Sequence, residues 1–443
     1  MINTQSKKEY LRRIYKVQDY IETHLYDSLS LEELKNTIEM AEHIIDIGPK
    51  SGSCGGQVMY QGNLEGLVQS NESITGKYLS GKIAMPSRVS HQSVKYGDER
   101  TRLLIRNANT NNLKDVTVSF PLGALVGIAG KSGSGKSSLI SDTLLPLLRS
   151  NSRKQWKNIE ENKIDNVVDI QDGSVKGIKI GDRLEGLKHI SGYAEISQAP
   201  IGRNMNSNPA SYIGIWDKIR TLFANQLEAI EQEFTAGHFS FNSKGACSKC
   251  GGSGLEKIWL GNDLSIDKTC GECNGKRFNN EALSIKYNGK NIYDILEMSV
   301  SEAVDFFEDN ISIVSILKVL EKIGMGYIKL GQPTPTLSVG ESQRIKLAKE
   351  IGKRRKGNIL YVLDEPTTGL SLYDTAKLIQ LLDELVVNGN SVIVVEHDTE
   401  VLKTCDWVIK LGPEGGSEGG YIIAEGSPED LKKNLKSITG RYL

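Results

Sequence analysis

The sequence lacks the features that would assign it to a membrane, secretory or strongly basic class of protein. None of its apolar runs approaches the about 20 residues that a membrane-spanning helix needs. Its first residues, MINTQSKK, are polar and contain no apolar signal-peptide core. The net charge is -1, so any contact with nucleic acid must come from a local patch. These absences predict a cytoplasmic protein.

Cysteine is scarce as well, and its spacing favours a metal over disulfides. Four of the six cysteines form two pairs, Cys247-x2-Cys250 and Cys270-x2-Cys273, and 19 residues separate the pairs. This is a Cys₄ zinc pattern, and four thiolates leave no open coordination position. We therefore predict a structural Zn²⁺ site. The isolated Cys54 and Cys405 carry no motif, and we interpret them as packing residues.

Basic residues surround the four cysteines. They are Lys244, Lys249, Lys257, Lys268, Lys276 and Arg277. A zinc-held loop with this local charge is a candidate contact for a DNA backbone. The alternative is a solvated charged surface with no partner.

An internal repeat indicates how the chain is divided into modules. Residues 45–79 align without gaps to residues 409–443, and 16 of the 35 positions are identical. The chain is thus expected to hold two endings of one module, with the body of the second module between them and the body of the first module absent. The predicted segments are a helical lead-in of unknown role at 1–40, a remnant tail of the first module at 41–82, core parts at 100–200 and 336–443, and an insertion at 201–335.

The second module has an α/β pattern. Three short apolar runs, at 124–129, 358–363 and 391–395, predict buried strands with helical patterns between them, as in a parallel sheet with crossover helices. Residues 150–190 are polar and predict a surface insertion. Residues 1–40 weakly resemble the start of an AraC-type helix-turn-helix domain but stop before any recognition helix.

A phosphate-binding loop follows the first of these strands. The pattern Gly130-x4-Gly135-Lys136-Ser137 precedes a predicted helix, and glycines there let backbone N–H groups face phosphates. Lys136 is expected to reach the β and γ phosphates of ATP, and Ser137 to ligate Mg²⁺. The predicted ATP-binding set in this loop is Gly130, Lys131, Ser132, Gly133, Ser134, Gly135, Lys136, Ser137 and Ser138.

Two further strands end in residues suited to hydrolysis. Asp364 closes one strand and is expected to hold the Mg²⁺ water shell, while the adjacent Glu365 is suited to polarise the attacking water. The other strand ends at His397, which could sense the γ phosphate. A lone histidine is more often structural, and the neighbouring motifs favour the catalytic interpretation.

Ser338, Gly340 and Glu341 begin a predicted helix and supply a second anion site. The combined motifs resemble the ABC ATPase superfamily, with Walker A at 130–137, the signature at 337–341, Walker B at 359–365 and the His switch at 397. That resemblance implies that Gln198 is the glutamine of the family's Q-loop. It also implies composite sites, in which the Walker A of one module faces the signature of another.

Among ABC ATPases, a zinc insertion ahead of the signature is unusual, and with it the sequence resembles the UvrA family. The resemblance is to the second nucleotide-binding half of that family and runs from about residue 41 to the end. Matching stretches include 111–114, 198–203, 207–212, 241–275, 326–332 and 364–370. The resemblance implies recognition of damaged double-stranded DNA in nucleotide excision repair, with ATP, Mg²⁺ and Zn²⁺. It implies that another subunit makes the incision and that a loader helicase subunit is a candidate partner.

Two substitutions and the absent first body set this chain apart from the family pattern. Val339 stands at the first Gly position of the signature, and Ser371 stands where the family usually has His. Without the first body, Lys136 needs a signature from a second copy or from a separately encoded first half. The alternative functions are a degenerate or truncated paralogue and a drug-resistance type of ABC ATPase with no role in repair.

Overall fold

We describe the fold from a computed structural model of the chain. The described residues are 38, 40–49, 55–88, 101–155, 184–202, 204, 206–261, 264–353 and 357–433. Nearly all of the predicted lead-in, most of the predicted insertion at 150–190, and Cys54 lie outside this set. Among the described residues, no helix is both long and apolar enough to cross a membrane.

The chain forms two compact units. The first unit is Met1–Met40, Gln92–His189 and Ile393–Leu443, and the second is Ala41–His91 and Ile190–Val392. The second unit thus combines the predicted remnant of a first module with the predicted insertion and the stretch from the signature to 392. The domain boundaries given above group the chain differently and stay predictions.

Strands and helices are numbered in chain order. The strands are β1 (Ile44–Gly48), β2 (Gln57–Gly62), β3 (Arg102–Ala108), β4 (Val116–Pro121), β5 (Leu125–Ala129), β6 (Leu184–Glu185), β7 (Gly192–Ile196), β8 (Leu255–Gly261), β9 (Leu264–Thr269), β10 (Lys286–Tyr287), β11 (Lys290–Asn291), β12 (Ile359–Asp364), β13 (Ser391–Val395), β14 (Trp407–Gly412) and β15 (Tyr421–Gly426). The helices are α1 (Leu64–Gln69), α2 (Ile74–Leu79), α3 (Lys136–Leu139), α4 (Leu145–Gln155), α5 (Pro209–Tyr212), α6 (Trp216–Ala224), α7 (Leu227–Glu231), α8 (Asn280–Ser284), α9 (Ile292–Glu297), α10 (Val300–Phe306), α11 (Ile311–Leu320), α12 (Val339–Gly352), α13 (Leu372–Val387), α14 (Thr399–Thr404) and α15 (Pro428–Lys433).

In the first unit, β14 lies between β5 and β15. It pairs parallel with β5 and antiparallel with β15. Every residue of β5 is buried, as its sequence LVGIA predicts for a strand covered on both faces. A second sheet places β3 between β4 and β6 in antiparallel order. The predicted helix after the phosphate loop is present as α3, a π-helical turn at Ile140–Leu144, and α4.

In the second unit, β12 pairs parallel with β7, and both strands lead into site residues. The register runs from Ile359↔Gly192 to Leu363↔Ile196, so the two strands end side by side. The first five residues of β12 and all of β13 are buried, as predicted for these apolar runs. The division between the two units falls within β13.

A hairpin and a layer of helices lie between β7 and β12 in the sequence, within the second unit. Strands β8 and β9 pair antiparallel between the two cysteine pairs. The helices that follow have strong N-caps: Ser299 and Glu302 form a capping box at α10, and Asn291 caps α9. Their apolar faces meet in the core through Ile292, Ile295, Val300, Ile313 and Leu317, all buried.

The two copies of the internal repeat have the same strand pairing. In the first copy Ile44 pairs with Gly62 and Gly48 with Gln57; in the second copy Val408 pairs with Gly426 and Gly412 with Tyr421. Both hairpins shift register after the third pair, and a helix of six residues follows each, α1 and α15. The two segments therefore share the same arrangement of a hairpin followed by a helix, in agreement with the alignment of their sequences.

Candidate nucleotide and metal sites

The phosphate loop joins β5 to α3 in the conformation that its glycines allow. Gly130 has φ +152° and Gly135 has φ +106°, both in the region that favours glycine. A Cβ on Gly130 would lie 2.5 Å from Ser134 Oγ and 2.7 Å from the Leu411 carbonyl oxygen. Backbone N–H groups at the start of α3 are thus available to an anion.

Lys136 lies across the loop and is 94% buried, since its exposed fraction is 6%. Its Nζ donates to the carbonyl oxygens of Gly130 at 2.8 Å and Lys131 at 3.1 Å. The ammonium is therefore held directly over the loop, where phosphate oxygens can replace the two carbonyl acceptors. Ser137, the predicted Mg²⁺ ligand, is exposed at the second position of α3.

Two neighbouring segments brace the loop within the first unit. Asn112 Nδ2 donates to the Gly133 carbonyl at 2.9 Å, and Ser138 Oγ donates to Asn112 Oδ1 at 3.3 Å. The Gly416 N–H donates to the same Gly133 carbonyl at 3.0 Å. Because both segments donate to the Gly133 carbonyl, these contacts hold the loop in this conformation without a bound phosphate.

His397 follows a buried carboxylate at the end of β13. The Glu396 N–H donates to the Ile128 carbonyl at 3.1 Å, which places this turn beside the end of β5. Glu396 is fully buried, and its Oε2 accepts from the backbone N–H of His397 at 3.0 Å. The first unit therefore brings His397 to the strand end that leads into the phosphate loop.

Gln198 and Glu365 meet in the second unit. Gln198 lies two residues after β7 and Glu365 directly after β12, and because these strands end side by side their side chains converge. Gln198 Nε2 donates to Glu365 Oε2 at 3.0 Å. Glu365 has φ +44°, a left-handed conformation that costs a non-glycine residue about 1–3 kcal/mol and is concentrated at functional sites.

The signature begins α12 with a reciprocal cap. Ser338 Oγ accepts from the Glu341 N–H at 3.2 Å, and Glu341 Oε2 accepts from the Ser338 N–H at 2.7 Å. Tyr327 Oη donates to Glu341 Oε1 at 2.5 Å, and burial followed by this hydrogen bond raises the pKa of Tyr327. Gly340 cannot carry a side chain, because a Cβ would lie 2.6 Å from the Thr368 carbonyl oxygen.

The signature helix also reaches the segments that carry Gln198 and Asp364. Gln343 Nε2 donates to the Asp364 carbonyl at 2.5 Å. Lys346 Nζ donates to the carbonyl oxygens of Ser197 at 2.9 Å and Ala199 at 2.6 Å, on either side of Gln198. A shift of α12 must therefore move or break the contacts that position both strand ends.

Val339 and Ser371, the two residues that differ from the family pattern, are both accommodated without disturbing their surroundings. Val339 is the first residue of α12 and 46% exposed, so its side chain stands at the surface beside Ser338. Ser371 caps α13: its Oγ accepts from the Asp374 N–H at 3.2 Å and donates to Asp374 Oδ2 at 2.9 Å. Neither residue disturbs the contacts of Glu341 or Gln198 described above.

The four predicted zinc ligands come together. The Sγ atoms of Cys247, Cys250, Cys270 and Cys273 all lie within 4.8 Å of one another. Burial disfavours the Cys250 thiolate, but hydrogen bonds led by that from the Gly254 N–H outweigh it and lower its pKa to about 7. Four sulfurs at this spacing fit a tetrahedral Zn²⁺ with no open position.

Five of the six predicted DNA contacts are exposed, and the sixth must be corrected. Lys244, Lys249, Lys257, Lys268 and Lys276 are exposed, with Lys249 paired to Glu256 at 3.1 Å. Arg277 is instead buried: it lies 3.8 Å over the Phe241 ring, and its Nε donates to the Gly252 carbonyl at 2.8 Å. Arg277 therefore packs the base of the zinc module and is not a surface contact.

Sequence reasoning missed Lys346, Tyr327 and the β8–β9 hairpin. The hairpin carries a weak signal, since Ile258 and Ile266 alternate with charged neighbours and pair across the strands. The roles of Lys346 and Tyr327 have no sequence signal of their own, because each depends on a tertiary contact: Lys346 with Ser197, 149 positions away, and Tyr327 with Glu341, 14 positions away.

Comparisons with known proteins agree with this geometry. No protein-family model matches the chain. It is 45% identical to the UvrABC system protein A of Aquifex aeolicus over 416 residues, which are 93% of this chain and 42% of that protein. The corresponding protein of Thermus thermophilus is 44% identical, with 93% of this chain and 41% of that protein covered.

A solved structure matches as well. The crystal structure of UvrA2 from Deinococcus radiodurans superposes with a TM-score of 0.80 at 38% identity, covering 92% of this chain and 46% of that chain. The chain thus spans less than half the length of the relatives that it matches. With its α/β fold of the ABC ATPase type and its four-cysteine cluster, the chain is a UvrA-like protein over nearly its whole length.

Proposed function

We propose that this chain hydrolyses ATP as one module of a DNA-binding ATPase that recognises damaged duplex DNA. The observation that carries the proposal is the hydrogen bond between Gln198 and Glu365 at the ends of two paired strands. A carboxylate held in this way is placed to accept a proton from an attacking water. The signature helix contacts both strand ends, which supports coupling between a partner module and hydrolysis.

The roles of the remaining residues follow from their positions. Lys136 binds phosphate oxygens over the phosphate loop, and His397 contacts the nucleotide from the end of β13. Ser137 and Asp364 remain the predicted Mg²⁺ ligands, and the ion supplies positive charge to the phosphates when bound. Gln198 holds Glu365 in place, and Lys346 holds the backbone on both sides of Gln198.

DNA binding is proposed for the zinc module. Its exposed lysines can contact phosphates, and a contact of this kind reads the shape of the duplex rather than its sequence. The similarity to UvrABC system protein A, together with what the UvrA resemblance implies, supports a place in excision repair. Incision by another subunit and a loader helicase partner are part of the same proposal.

The nucleotide site requires a signature from a further module, supplied by a second copy of the chain or by a first half encoded separately. ATP turnover measured against protein concentration, with and without damaged duplex, tests the proposal. Pairing of two copies predicts a rate that rises faster than the concentration and responds to DNA. A linear, DNA-insensitive rate contradicts pairing of copies, and no turnover under any of these conditions contradicts the ATPase itself.

A further inference from the structure

Arg277 lies at the base of the zinc module and holds the turn of its first cysteine pair at both ends. The Cys247 N–H donates to the Arg277 carbonyl at 3.0 Å, and Arg277 Nε donates to the Gly252 carbonyl at 2.8 Å. The guanidinium also lies 3.8 Å over the Phe241 ring. Because these contacts reach both ends of the turn that carries Cys247 and Cys250, the arginine must move with the module.

The backbone of Arg277 has a conformation that favours glycine. Its φ is +73°, which strains any residue other than glycine. A glycine at this position would avoid the strain but would lose every contact of the guanidinium. The contacts of its backbone and side chain therefore hold Arg277 in a conformation that it would not adopt alone.

One contact of the guanidinium leaves the zinc module. Arg277 Nη2 donates to Asn206 Oδ1 at 2.9 Å, although the two residues are 71 positions apart. Arg277 is 92% buried, since its exposed fraction is 8%, so water is a poor competitor for its donors. Asn206 lies eight residues after Gln198, between β7 and α5. The hydrogen bond therefore joins the zinc module to the segment that follows Gln198.

The described part of this segment packs closely against itself. The Asn206 N–H and Ser207 Oγ both donate to Asn204 Oδ1, at 3.0 and 3.1 Å. A Cβ on Gly202 would lie 2.6 Å from Ser207 Cβ, so no space separates the Gly202 backbone from that side chain. A displacement of Asn206 therefore reaches Gly202, which lies four residues from Gln198.

Two neighbouring elements hold the ends of the segment. The Thr334 N–H donates to the Ser207 carbonyl at 2.8 Å, from the turn that leads into the signature. At the other end, Lys346 Nζ donates to the Ala199 carbonyl at 2.6 Å, next to Gln198. Because both ends are held, a displacement within the segment is passed to Gln198 rather than absorbed by loose chain.

We propose that Arg277 is a positioning residue for ATP hydrolysis, which joins the zinc module to Gln198 through its hydrogen bond with Asn206. Duplex DNA on the exposed lysines of the module then changes the position of Gln198 relative to Glu365, and with it the rate of turnover. This proposal rests on the proposed function, because it names the regulation of the same site. It assigns a role to a buried arginine that neither binds DNA nor touches the nucleotide.

Backbone hydrogen exchange of the full-length chain, purified with zinc, tests the connection without ATP or DNA. Asn206→Ala removes the acceptor, and Asn206→Asp is the matched control because a carboxylate still accepts from Arg277. In Asn206→Ala, the amides of Ser207 and Cys247 are expected to exchange about tenfold or more faster than in the original chain. Asn206→Asp should leave both rates unchanged. Exchange at Cys247 that keeps its original rate in Asn206→Ala overturns the proposal, because Asn206 then acts only within its own segment.

Steady-state phosphate release at saturating ATP, with and without saturating damaged duplex, measures the regulation. The factor by which duplex changes turnover is expected to shrink by about 2- to 30-fold in Asn206→Ala and to be kept in Asn206→Asp. An unchanged factor in Asn206→Ala overturns the proposal, and so does an equal loss in both variants. Hydrogen exchange needs neither ATP nor DNA. An original chain without turnover therefore contradicts the proposed function and leaves the exchange at Cys247 as the test of Arg277.

Discussion

Gln198 Nε2 lies 3.0 Å from Glu365 Oε2, although the two residues are 167 positions apart in the chain. Parallel pairing of β7 with β12 creates this contact, since both strands end at the same edge. The Gln198 amide donates to one oxygen of the Glu365 carboxylate and so fixes its orientation. The proposed hydrolysis of ATP depends on this pair of residues.

Replacing Gln198 with Ala is expected to lower the maximal turnover of ATP by about 10- to 100-fold, because a hydrogen bond to a charged group contributes about 1.5–3 kcal/mol. The Michaelis constant for ATP should stay near its original value, since Gln198 positions Glu365 and does not bind phosphate. Steady-state phosphate release over a range of ATP concentrations measures both. Gln332→Ala, which removes an exposed hydrogen bond to Thr336, serves as the control. A raised Michaelis constant with unchanged maximal turnover would make Gln198 a nucleotide-binding residue instead.

Lys346→Met removes the donor that ties α12 to the carbonyl oxygens of Ser197 and Ala199. The free energy of unfolding is expected to fall by about 1–3 kcal/mol, because the part-buried Ser197 carbonyl loses its partner. Turnover should fall as well, since the backbone around Gln198 is released. Urea denaturation and phosphate release measure the two effects. Lys353→Met, on an exposed pair with Glu350, should stay within about 0.5 kcal/mol of the original. An equal loss in both variants would show that the tether has no special role.

Cys270→Ser is expected to release the metal, because structural zinc sites need all four ligands. Zinc measured by atomic absorption should fall from about one ion per chain to near zero, with a lower melting temperature. Cys405→Ser is the matched control, since Cys405 is buried and donates to the Val401 carbonyl outside the cluster. Zinc that remains bound to the Cys270 variant would remove the metal site from this account.

Neutralising Lys257 and Lys268 together is expected to weaken DNA binding at every sequence. The slope of log affinity against log salt should fall by about 0.9 for each DNA phosphate that the two lysines neutralise in the original chain. Both lysines are exposed on the β8–β9 hairpin. Fluorescence anisotropy with damaged and intact duplex over a salt series measures the slope. Lys322→Gln, in a surface pair with Glu384, is the control. A slope unchanged in the double variant would place the DNA elsewhere.

The sequence was sufficient for those parts of the molecule that local chemistry determines. Apolar runs predicted β5, β12 and β13, and the aligned repeat predicted two copies of one module's ending. The cysteine spacing predicted four ligands that do converge. In each case the information lies in the spacing of a few neighbouring residues.

Other features depend on packing between distant segments and were not predictable. Arg277 was predicted to be a basic surface residue, but it is buried against Phe241 and donates to the Gly252 carbonyl. In the sequence, Lys346 has no feature that distinguishes it from other lysines in helices. Its partners lie about 150 positions earlier in the chain. The exposure of Ile47 could not be predicted either, because its equivalent Leu411 is buried by residues that have no counterpart around the first hairpin in the described part of the chain.

ATP turnover by the original chain and by its Glu365→Gln variant, at high protein concentration with duplex DNA present, decides whether Glu365 is the general base. Loss of a general base lowers turnover by about 10²–10⁴-fold, while Lys136 and the phosphate loop should still bind ATP. We expect measurable turnover in the original chain, a loss of at least about 100-fold in the variant, and equal binding of a fluorescent ATP analogue by both. Equal turnover in the two proteins, or loss of nucleotide binding in the variant, would contradict the assignment of Glu365.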